Sequence, residues 1–311
     1  MHVGYRKHGR DGEHLRHARC FAVTHVSKRT RRRCRIMASR QSLEEHRTMS
    51  QHRTALVTGA SSGIGLTYAD RLARRGFDLV LVARRTDRLE QLAAELTRDH
   101  GIKVTTLTAD LSTETGCRSV EQVIADDASV DFLVNNAGMG KLGALSDTKV
   151  DDLATLINVN VLALARLSLA AMQAFTKRGS GTVVNMGSIS AFRAVAGGAA
   201  YSGSKAFVLN FTRSLNLETR GTNVRFQCVL PGPVKTEFFA ASGVDDSLFP
   251  AGSFITSEQL VDAALRGLDL GEEVTIPTLE DASSFQTLAD AFTQLREDAG
   301  REGIIATRYR T

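Results

Sequence analysis

Apolar positions along the chain alternate between short unbroken runs and longer segments with helical spacing. Strands are predicted at residues 55–57, 78–83, 103–108, 131–134, 181–186, 224–230 and 273–276. Helices are predicted at residues 64–75, 87–100, 147–177, 201–217, 257–270 and 281–297. Ser257 is expected to cap the helix at 257–270. Unbroken apolar strands that alternate with amphipathic helices are typical of a parallel sheet covered on both faces. The pattern therefore predicts an α/β fold, a three-layer α/β/α sandwich with a parallel sheet of about seven strands.

Charge divides the chain into two parts. Residues 1–50 contain 13 Lys and Arg against 4 Asp and Glu, whereas the other 261 residues contain 26 against 30. The first part also lacks sustained apolar periodicity, so we predict a disordered basic arm over residues 1–52 and a single domain over 53–311. The mildly acidic body gives no support for nucleic-acid binding by the folded domain.

Three interpretations of the arm stay open. It is rich in Arg, like an organellar presequence, although Asp11 and Glu13 argue against that interpretation. It is also compatible with a polybasic tail that contacts nucleic acid or acidic lipid. Alternatively it is upstream sequence absent from the mature protein, with the true start at Met37 or Met49.

A glycine-rich segment, TGASSGIG, follows the first predicted strand and opens the first helix. Glycines at this position allow a tight turn and a close approach of the backbone, and the helix N-terminus attracts a phosphate. A plain strand-to-helix turn is the alternative. The predicted cofactor contacts in this segment are Gly59, Ser61, Ser62, Gly63, Ile64 and Gly65.

The ends of the next strands carry further candidate contacts. Arg84 follows the second strand, where an Arg accommodates a 2′-phosphate, so the sequence predicts NADP(H) in preference to NAD(H). The alternative is that Arg84 and Arg85 only cap an exposed strand end. Asp110 is a candidate for an adenine amino group or a helix cap. The other candidates at these strand ends are Leu111, Asn136, Ala137 and Gly138, while Asn135 is expected to stabilise the sheet.

The segment around Tyr201 carries the candidate chemistry. Tyr201 and Lys205 are four residues apart and so share a helix face. A cation beside a phenol lowers its pKa from roughly 10, which makes tyrosine a usable general acid and base. Ser188 is expected to return towards Tyr201 through a loop of small residues. The alternative is an ordinary helix with a surface Tyr and Lys.

These motifs occur in an order that resembles a known family. They are TGASSGIG at 58–65, NNAG at 135–138, Ser188, YSGSK at 201–205 and Pro231-Gly232. Over roughly residues 54 to 240 the chain is similar to the single-domain branch of the short-chain dehydrogenase/reductase superfamily, which has a Rossmann-type fold. Gly203 stands where an alanine is commoner in that family.

The resemblance implies specific roles. Tyr201 is expected to be the general acid and base, Ser188 to hydrogen-bond the substrate oxygen, and Lys205 to lower the tyrosine pKa and bind the nicotinamide ribose. Asn160 is expected to hold a water in a proton relay, with Asn158 less suited to that role. Pro231, Gly232, Val234 and Thr236 are implied as contacts of the nicotinamide.

The sequence therefore predicts an NADP(H)-dependent oxidoreductase that interconverts a carbonyl and a secondary alcohol. The alternative is an NADP-binding regulatory or scaffold protein without turnover, which the intact Ser188, Tyr201 and Lys205 argue against. Phenylalanines within residues 238–255 suggest a lid over an apolar small-molecule substrate. By resemblance we expect a homodimer or homotetramer.

Cysteine spacing and hydropathy bear on the compartment. Cys117 and Cys228 lie in patterns of a buried helix and strand, and no spacing of the four cysteines indicates a disulfide framework or a metal site. The apolar segment 153–175 is interrupted by Asn158, Asn160 and Arg166, which predicts a buried helix and no membrane span. We expect a cytoplasmic protein.

Overall fold

The short apolar runs form the strands of one parallel sheet in a computed structural model of the protein, which describes residues 53–242, 249–300 and 303–310. These strands are β1 (Thr54–Thr58), β2 (Asp78–Ala83), β3 (Val104–Thr108), β4 (Val130–Asn135), β5 (Ser180–Met186), β6 (Asn223–Val229) and β9 (Val274–Thr275). Within the described residues the sheet has seven strands in the order β3-β2-β1-β4-β5-β6-β9. The predicted α/β class and sheet size are confirmed.

Helices cover both faces of this sheet. They are α1 (Gly63–Arg74), α2 (Thr86–His100), α3 (Glu114–Asp126), α4 (Val150–Ile157), α5 (Leu164–Arg178), α6 (Ala199–Glu218), α7 (Phe238–Ser242), α8 (Ser257–Asp269) and α9 (Ser283–Gly300). Two short strands, β7 (Val234–Lys235) and β8 (Ile255–Thr256), pair outside the main sheet. The predicted three-layer sandwich is therefore present.

Alternate residues of each strand enter two separate cores. On one face Val57 and Leu79 pack with Leu72 of α1 and Leu260 of α8. On the other face Leu56, Val80 and Leu133 pack with Val120 of α3 and Phe175 of α5. Because both faces are covered, the inner strands β1, β2 and β4 have no solvent-exposed face, which explains their largely apolar sequence. The edge strand β3, with Thr105 and Thr108 exposed, is the exception.

The strand order reverses between β1 and β4, which are neighbours in the sheet although β2 and β3 lie between them in sequence. In open α/β sheets, ligands bind in the crevice at the carboxyl ends of the strands beside such a point. The glycine turn follows β1, the Asn135-Asn136 pair ends β4 and follows it, and Ser188 follows β5. The fold thus gathers the predicted motifs at one edge.

The predicted long helix of residues 147–177 is continuous from Val150 to Arg178 but irregular in the middle. A stretch of π-helix, Asn158–Ala163, separates α4 from α5. In the described part of the chain, this is the one helix long and apolar enough to cross a membrane, a test that core helices of soluble proteins also meet. Its side chains Leu167, Ala171 and Phe175 are buried in the core against the sheet.

The start of α8 differs from the prediction by one residue. We expected Ser257 to cap this helix, but the cap is Thr256. The Thr256 hydroxyl accepts from Gln259 N–H at 3.2 Å, and the Gln259 side-chain oxygen accepts from Thr256 N–H at 2.9 Å. This reciprocal capping box satisfies two donors at once, which a serine one position later would not do.

The described residues belong to one structural unit, residues 52–311. The predicted basic arm over residues 1–52, with the proposed starts at Met37 and Met49, lies outside the described residues.

Candidate active site at the carboxyl edge of the sheet

The turn after β1 has the backbone shape that its glycines predict. Gly59 and Gly63 have φ values of 67° and 53°, in the left-handed region that favours glycine. A Cβ on Gly65 would lie 2.3 Å from the Gly59 carbonyl oxygen, so the helix start packs directly on the turn. No side chain caps the N-terminus of α1, where Ser62 is the N-cap. Exposed N–H groups at a helix start suit a phosphate.

Polar groups of β1 and β4 hold this turn in place. Thr58 Oγ1 accepts from the backbone N–H groups of Asn136 and Ala137, each at 3.0 Å. The Asn136 amide donates to the carbonyl oxygens of Thr58 at 3.0 Å and Gly59 at 3.4 Å. The side chain of Asn136 is therefore directed at the turn itself. Its contact with a cofactor, like those of Ala137 and Gly138, stays a prediction.

Asn135 has the stabilising role expected for it. It is buried, and its amide donates to Asn185 Oδ1 on the neighbouring strand β5 at 2.9 Å and to Ser168 Oγ at 3.1 Å. Asn185 in turn donates to Thr212 Oγ1 on α6 at 3.0 Å. This buried polar chain ties β4 and β5 to the helix that carries Tyr201.

Two arginines follow β2, and they occupy different surroundings. Arg84 lies near Asp110, whereas Arg85 reaches back over the glycine turn. Arg85 donates to Ser61 Oγ at 2.9 Å and to Ser62 Oγ at 2.7 Å. Sequence reasoning selected Arg84 alone and missed Arg85 as a member of the site, although the pair Arg84-Arg85 was the available signal.

Asp110 follows β3 and caps its own turn. Its Oδ1 accepts from Ser112 N–H at 2.9 Å and from Ser112 Oγ at 2.8 Å. Partial burial works to raise the pKa of Asp110, but these hydrogen bonds and the charge of Arg84 outweigh it and the pKa is lowered. The helix-cap interpretation of Asp110 is wrong, because the cap of α3 is Thr113, whose hydroxyl accepts from Gly116 N–H at 3.1 Å. The adenine contact stays a prediction. Leu111 beside it is buried in the core.

The three residues Ser188, Tyr201 and Lys205 meet at the end of β5. Ser188 lies close enough to the Tyr201 phenol to lower its pKa, and its hydroxyl accepts from Ser190 N–H at 3.1 Å. Lys205 Nζ lies 5.7 Å from the centre of the Tyr201 ring and donates to the Met186 carbonyl at 2.8 Å. Ser188 and Lys205 are both buried. The three side chains lie close together, as the sequence predicted.

The expected lowering of the Tyr201 pKa is wrong for this structure. Burial raises the pKa of the phenol, and the hydrogen bond from Ser188 offsets this only in part. Burial also lowers the pKa of Lys205 to about 8, because a desolvated ammonium is unfavourable. The phenol therefore holds its proton at neutral pH, and the lysine beside it loses its charge more readily than an exposed one.

Asn160 reaches this group through the π-helical stretch. Its side chain is buried, forms two hydrogen bonds with the backbone of Met139 and donates to Ser204 Oγ at 3.2 Å. Ser204 Oγ donates to the Tyr201 carbonyl oxygen at 2.7 Å. A Cβ on Gly138 would lie 3.4 Å from Asn160 Oδ1 and 3.7 Å from Lys205 Nζ, so the two side chains are near neighbours.

Asn158 points elsewhere, donating to the Ser112 carbonyl at 3.3 Å. Its partner is a loop backbone and not a member of the Tyr201 group. The relay role of Asn160 itself stays a prediction.

The segment after β6 covers the site. The Pro231 carbonyl accepts from Ile189 N–H at 3.1 Å, next to Ser188. A Cβ on Gly232 would lie 3.6 Å from Ile189 Cδ1, and Val234 is buried in β7. Thr236 lies against the glycine turn, since a Cβ on Gly63 would lie 3.0 Å from Thr236 Cγ2. This segment thus extends from Ser188 to the glycine turn.

The predicted lid region begins with Phe238, whose ring lies 5.8 Å from that of Tyr201. Phe239, Phe249 and Phe254 form an edge-to-face cluster with centroid distances of 5.1–5.4 Å. Residues 243–248 lie outside the described residues, so the mobility of the lid stays a prediction. The individual role of Phe238 has no signal in the sequence.

Comparison with known proteins agrees with this geometry. Residues 53–246 match the family model described as short chain dehydrogenase. The chain is 33% identical over 233 residues to an NADP-dependent 3-hydroxy acid dehydrogenase of Schizosaccharomyces pombe, covering 72% of this chain and 90% of that protein.

Two solved structures are also similar. One is a short-chain dehydrogenase from Sphingobium yanoikuyae in complex with NADPH, with a TM-score of 0.79, 42% identity and coverage of 83% of this chain and 100% of that chain. The other is a bulky-bulky ketone specific alcohol dehydrogenase from Comamonas testosteroni, with a TM-score of 0.76, 37% identity and coverage of 83% and 99%.

Proposed function

Because the chain belongs to the short-chain dehydrogenase family, we propose that it interconverts a carbonyl and a secondary alcohol with Tyr201 as general acid and base. The observation that supports this most directly is the meeting of Ser188, Tyr201 and Lys205. Ser188 lies close enough to the phenol to lower its pKa, and Lys205 Nζ lies 5.7 Å from the ring centre. A hydroxyl, a phenol and an amine in one partly buried group suit proton transfer to a substrate oxygen.

The chain is an NAD(P)-dependent oxidoreductase acting on CH–OH groups, and its cofactor is NADP(H) in preference to NAD(H). The glycine turn fits a dinucleotide, because Gly59 and Gly63 have positive φ and a Cβ on Gly65 would collide with the turn. When bound, this cofactor supplies or accepts the hydride. The residues that would hold it are Gly59, Ser61, Ser62, Gly63, Ile64, Gly65, Arg84, Arg85, Asp110, Leu111, Asn136, Ala137, Gly138, Pro231, Gly232, Val234 and Thr236.

Proton transfer is the part of the reaction that the protein performs. Burial raises the pKa of Tyr201, so its proton is present at neutral pH and available to a carbonyl oxygen during reduction. Ser188 donates a hydrogen bond to the same oxygen. Lys205 binds the nicotinamide ribose and stabilises the phenolate left behind, and Asn160 supports the relay that returns the proton.

We propose an apolar small-molecule substrate with bulky substituents. Phe238 lies beside Tyr201, and the aromatic cluster of Phe239, Phe249 and Phe254 continues from it. The similar protein from Comamonas testosteroni is described as specific for bulky-bulky ketones. Aromatic side chains next to the phenol favour the same class here.

Our proposals for assembly and compartment are supported by the exposed surface and by the cysteines. Members of the family commonly form oligomers, and we propose a homodimer or homotetramer built on the long helix and α6, which expose Leu162, Leu169 and Leu217. Residues 53–311 act as a single domain in this proposal. Cys117 and Cys228 are buried free thiols, which support a reducing, cytoplasmic location.

The test is cofactor oxidation with a panel of aldehydes and ketones, using NADPH and then NADH. Wild type is compared with Tyr201→Phe and with Tyr309→Phe, a matched control at an exposed tyrosine. We expect turnover with NADPH to fall about 10²–10⁴-fold in Tyr201→Phe, with NADPH binding within about twofold of wild type. Tyr309→Phe should behave as wild type.

Two results would overturn the proposal. One is turnover that survives in Tyr201→Phe, which would remove the phenol from the chemistry. The other is tight NADPH binding without reduction of any panel member, including bulky aromatic ketones, which would favour a regulatory protein.

A further inference from the structure

One acidic residue lies between two arginines beside the glycine turn. Glu237 follows Thr236 and forms ion pairs with Arg85 and Arg88. Arg85 Nη1 donates to Glu237 Oε2 at 3.0 Å, and Arg88 Nη1 donates to both carboxylate oxygens at 2.8 and 3.1 Å. Arg85 and Glu237 are 152 residues apart in sequence, so the contact joins β2 and α2 to the segment that covers the site.

The same arginine also contacts the phosphate-binding turn. Arg85 Nη2, which donates to Ser61 and Ser62, belongs to the guanidinium whose Nη1 donates to Glu237. Guanidinium groups bind carboxylates and phosphates with the same paired N–H donors. The carboxylate of Glu237 therefore occupies donors that a phosphate at this rim would use.

These ion pairs are weak enough to be exchanged. The side chains of Arg85, Arg88 and Glu237 are 44%, 48% and 57% exposed. Exposed ion pairs contribute about 0–1 kcal/mol each, because solvent screens them. A 2′-phosphate carries more charge and more acceptor oxygens than one carboxylate, so it can replace Glu237 at both arginines.

We propose that Glu237 is an internal competitor for the 2′-phosphate of NADP(H) and thereby sets how strongly the enzyme discriminates NADP(H) from NAD(H). Before the phosphate binds, the carboxylate neutralises Arg85 and Arg88. Once the phosphate binds, it takes these donors and the carboxylate turns away. NAD(H) has no 2′-phosphate and leaves the Glu237 pairs intact. The proposal rests on NADP(H) as the cofactor and is independent of the carbonyl chemistry.

The proposal predicts that neutralising Glu237 without changing its size strengthens the binding of NADPH. In Glu237→Gln the side chain keeps its shape but loses its charge, so the arginines are released to the phosphate. We expect NADPH and adenosine 2′,5′-bisphosphate to bind about three- to tenfold more tightly, and NADH to change by less than about twofold. The change in NADPH affinity thus increases selectivity.

Direct binding provides the test. Kd values for NADPH and NADH are measured by ligand fluorescence, and that for adenosine 2′,5′-bisphosphate by calorimetry, on the full chain without substrate. The control is Asp269→Asn, which removes one carboxylate from the exposed ion pair with Arg75, formed at 2.9 and 3.0 Å. This control should leave all three Kd values within about twofold of wild type.

Three results would overturn the proposal. Unchanged or weaker NADPH binding in Glu237→Gln would show that the carboxylate does not compete. An equal increase in NADH affinity would show that Glu237 affects binding whether or not the ligand carries a 2′-phosphate. The same gain in Asp269→Asn would assign the effect to net charge. Because no turnover is measured, each result is separable from a failure of the proposed reaction.

Discussion

The side chain of Asn160 holds the backbone of Met139 from both sides. Its Oδ1 accepts from Met139 N–H at 2.9 Å, and its Nδ2 donates to the Met139 carbonyl at 2.9 Å. One amide thus replaces the two strand partners that this backbone would have in a sheet. Since Met139 follows the NNAG segment, the pair joins the edge of β4 to the long helix.

We expect Asn160→Ala to lower the free energy of unfolding by about 1–3 kcal/mol for each backbone group left without a partner. Asn158→Ala is the matched control, because that amide makes one 3.3 Å bond to Ser112 and should cost about 1 kcal/mol. Urea denaturation of both variants measures the difference. An equal decrease in the free energy of unfolding of the two variants would mean that the Asn160 hydrogen bonds contribute no more to stability than that of Asn158.

The pH dependence of stability provides a test of the Lys205 environment. Burial lowers its folded pKa to about 8, below the ordinary value of 10.5, so between these values the unfolded state binds more protons. Stability contributed by this group therefore rises with pH across that window, by about 1.4 kcal/mol per unit, and is constant below pH 8.

The measurement is the free energy of unfolding of wild type minus that of Lys205→Met, from pH 7 to 10. The difference cancels most of the titration of the neighbours Tyr201 and Cys228, both of whose pKa values are raised by burial. The same substitution at the exposed Lys103 is the control. A difference that stays flat from pH 8 to 10 would contradict the burial of the ammonium.

Two glycines should respond to alanine in opposite ways. A Cβ on Gly65 would lie 2.3 Å from the Gly59 oxygen and 2.6 Å from Asn136 Nδ2, so Gly65→Ala must displace the glycine turn. We expect NADPH binding to weaken at least about tenfold and Tm to fall. NADPH titration and thermal melting measure both effects, and wild-type affinity in this variant would refute the turn's role.

Gly203 lies on α6, where an added Cβ would have no atom within 4 Å apart from the backbone of its own helix and its two chain neighbours. Gly203→Ala should therefore raise the free energy of unfolding by about 0.5–1 kcal/mol, because alanine costs less entropy in a helix. NADPH affinity should not change. Destabilisation would indicate a contact in an oligomer that covers this face.

Phe238 should control the size of the substrate. Its ring lies 5.8 Å from the Tyr201 ring, and a Cβ on Gly140 would lie 2.5 Å from Phe238 Cζ, so the ring fills the space beside the phenol. We expect Phe238→Ala to raise kcat/KM for bulky ketones relative to small ones by about tenfold. Phe254→Ala, whose ring contacts Phe239 and lies one ring further from Phe238, should lower stability without this change in selectivity.

Local sequence rules predicted much of the fold and of the site. The strands and the glycine turn depend on neighbouring residues, and β2 was predicted at its observed bounds of Asp78–Ala83. Tyr201 and Lys205 were found because four residues on a helix fix their proximity. Ser188 was identified by the family resemblance and by its position just after β5.

What could not be predicted depends on contacts between distant segments. Arg85 bends over Ser61 and meets Glu237, and neither contact has a local pattern. The raised pKa of Tyr201 reflects burial by elements far along the chain, whereas the sequence rule considered only the nearby Lys205. Thr256 caps α8 through a reciprocal pair of hydrogen bonds with Gln259. The prediction of Ser257 considered only the residue type at the helix start and not this partner.

The π-helical stretch at Asn158–Ala163 divides one 29-residue helix into two regular segments, of 8 and 15 residues, that are rotated relative to each other. A regular helix turns about 100° per residue, so one extra residue in a turn rotates everything beyond it by that angle. Deleting a single residue here would restore regular helical hydrogen bonds and rotate the buried stripe of Leu167 and Phe175 relative to Asn160. The rotation of α5 relative to Asn160 therefore depends on the extra residue of the π-helical stretch. We expect the tolerance to insertion or deletion within this helix to be lowest in these six residues.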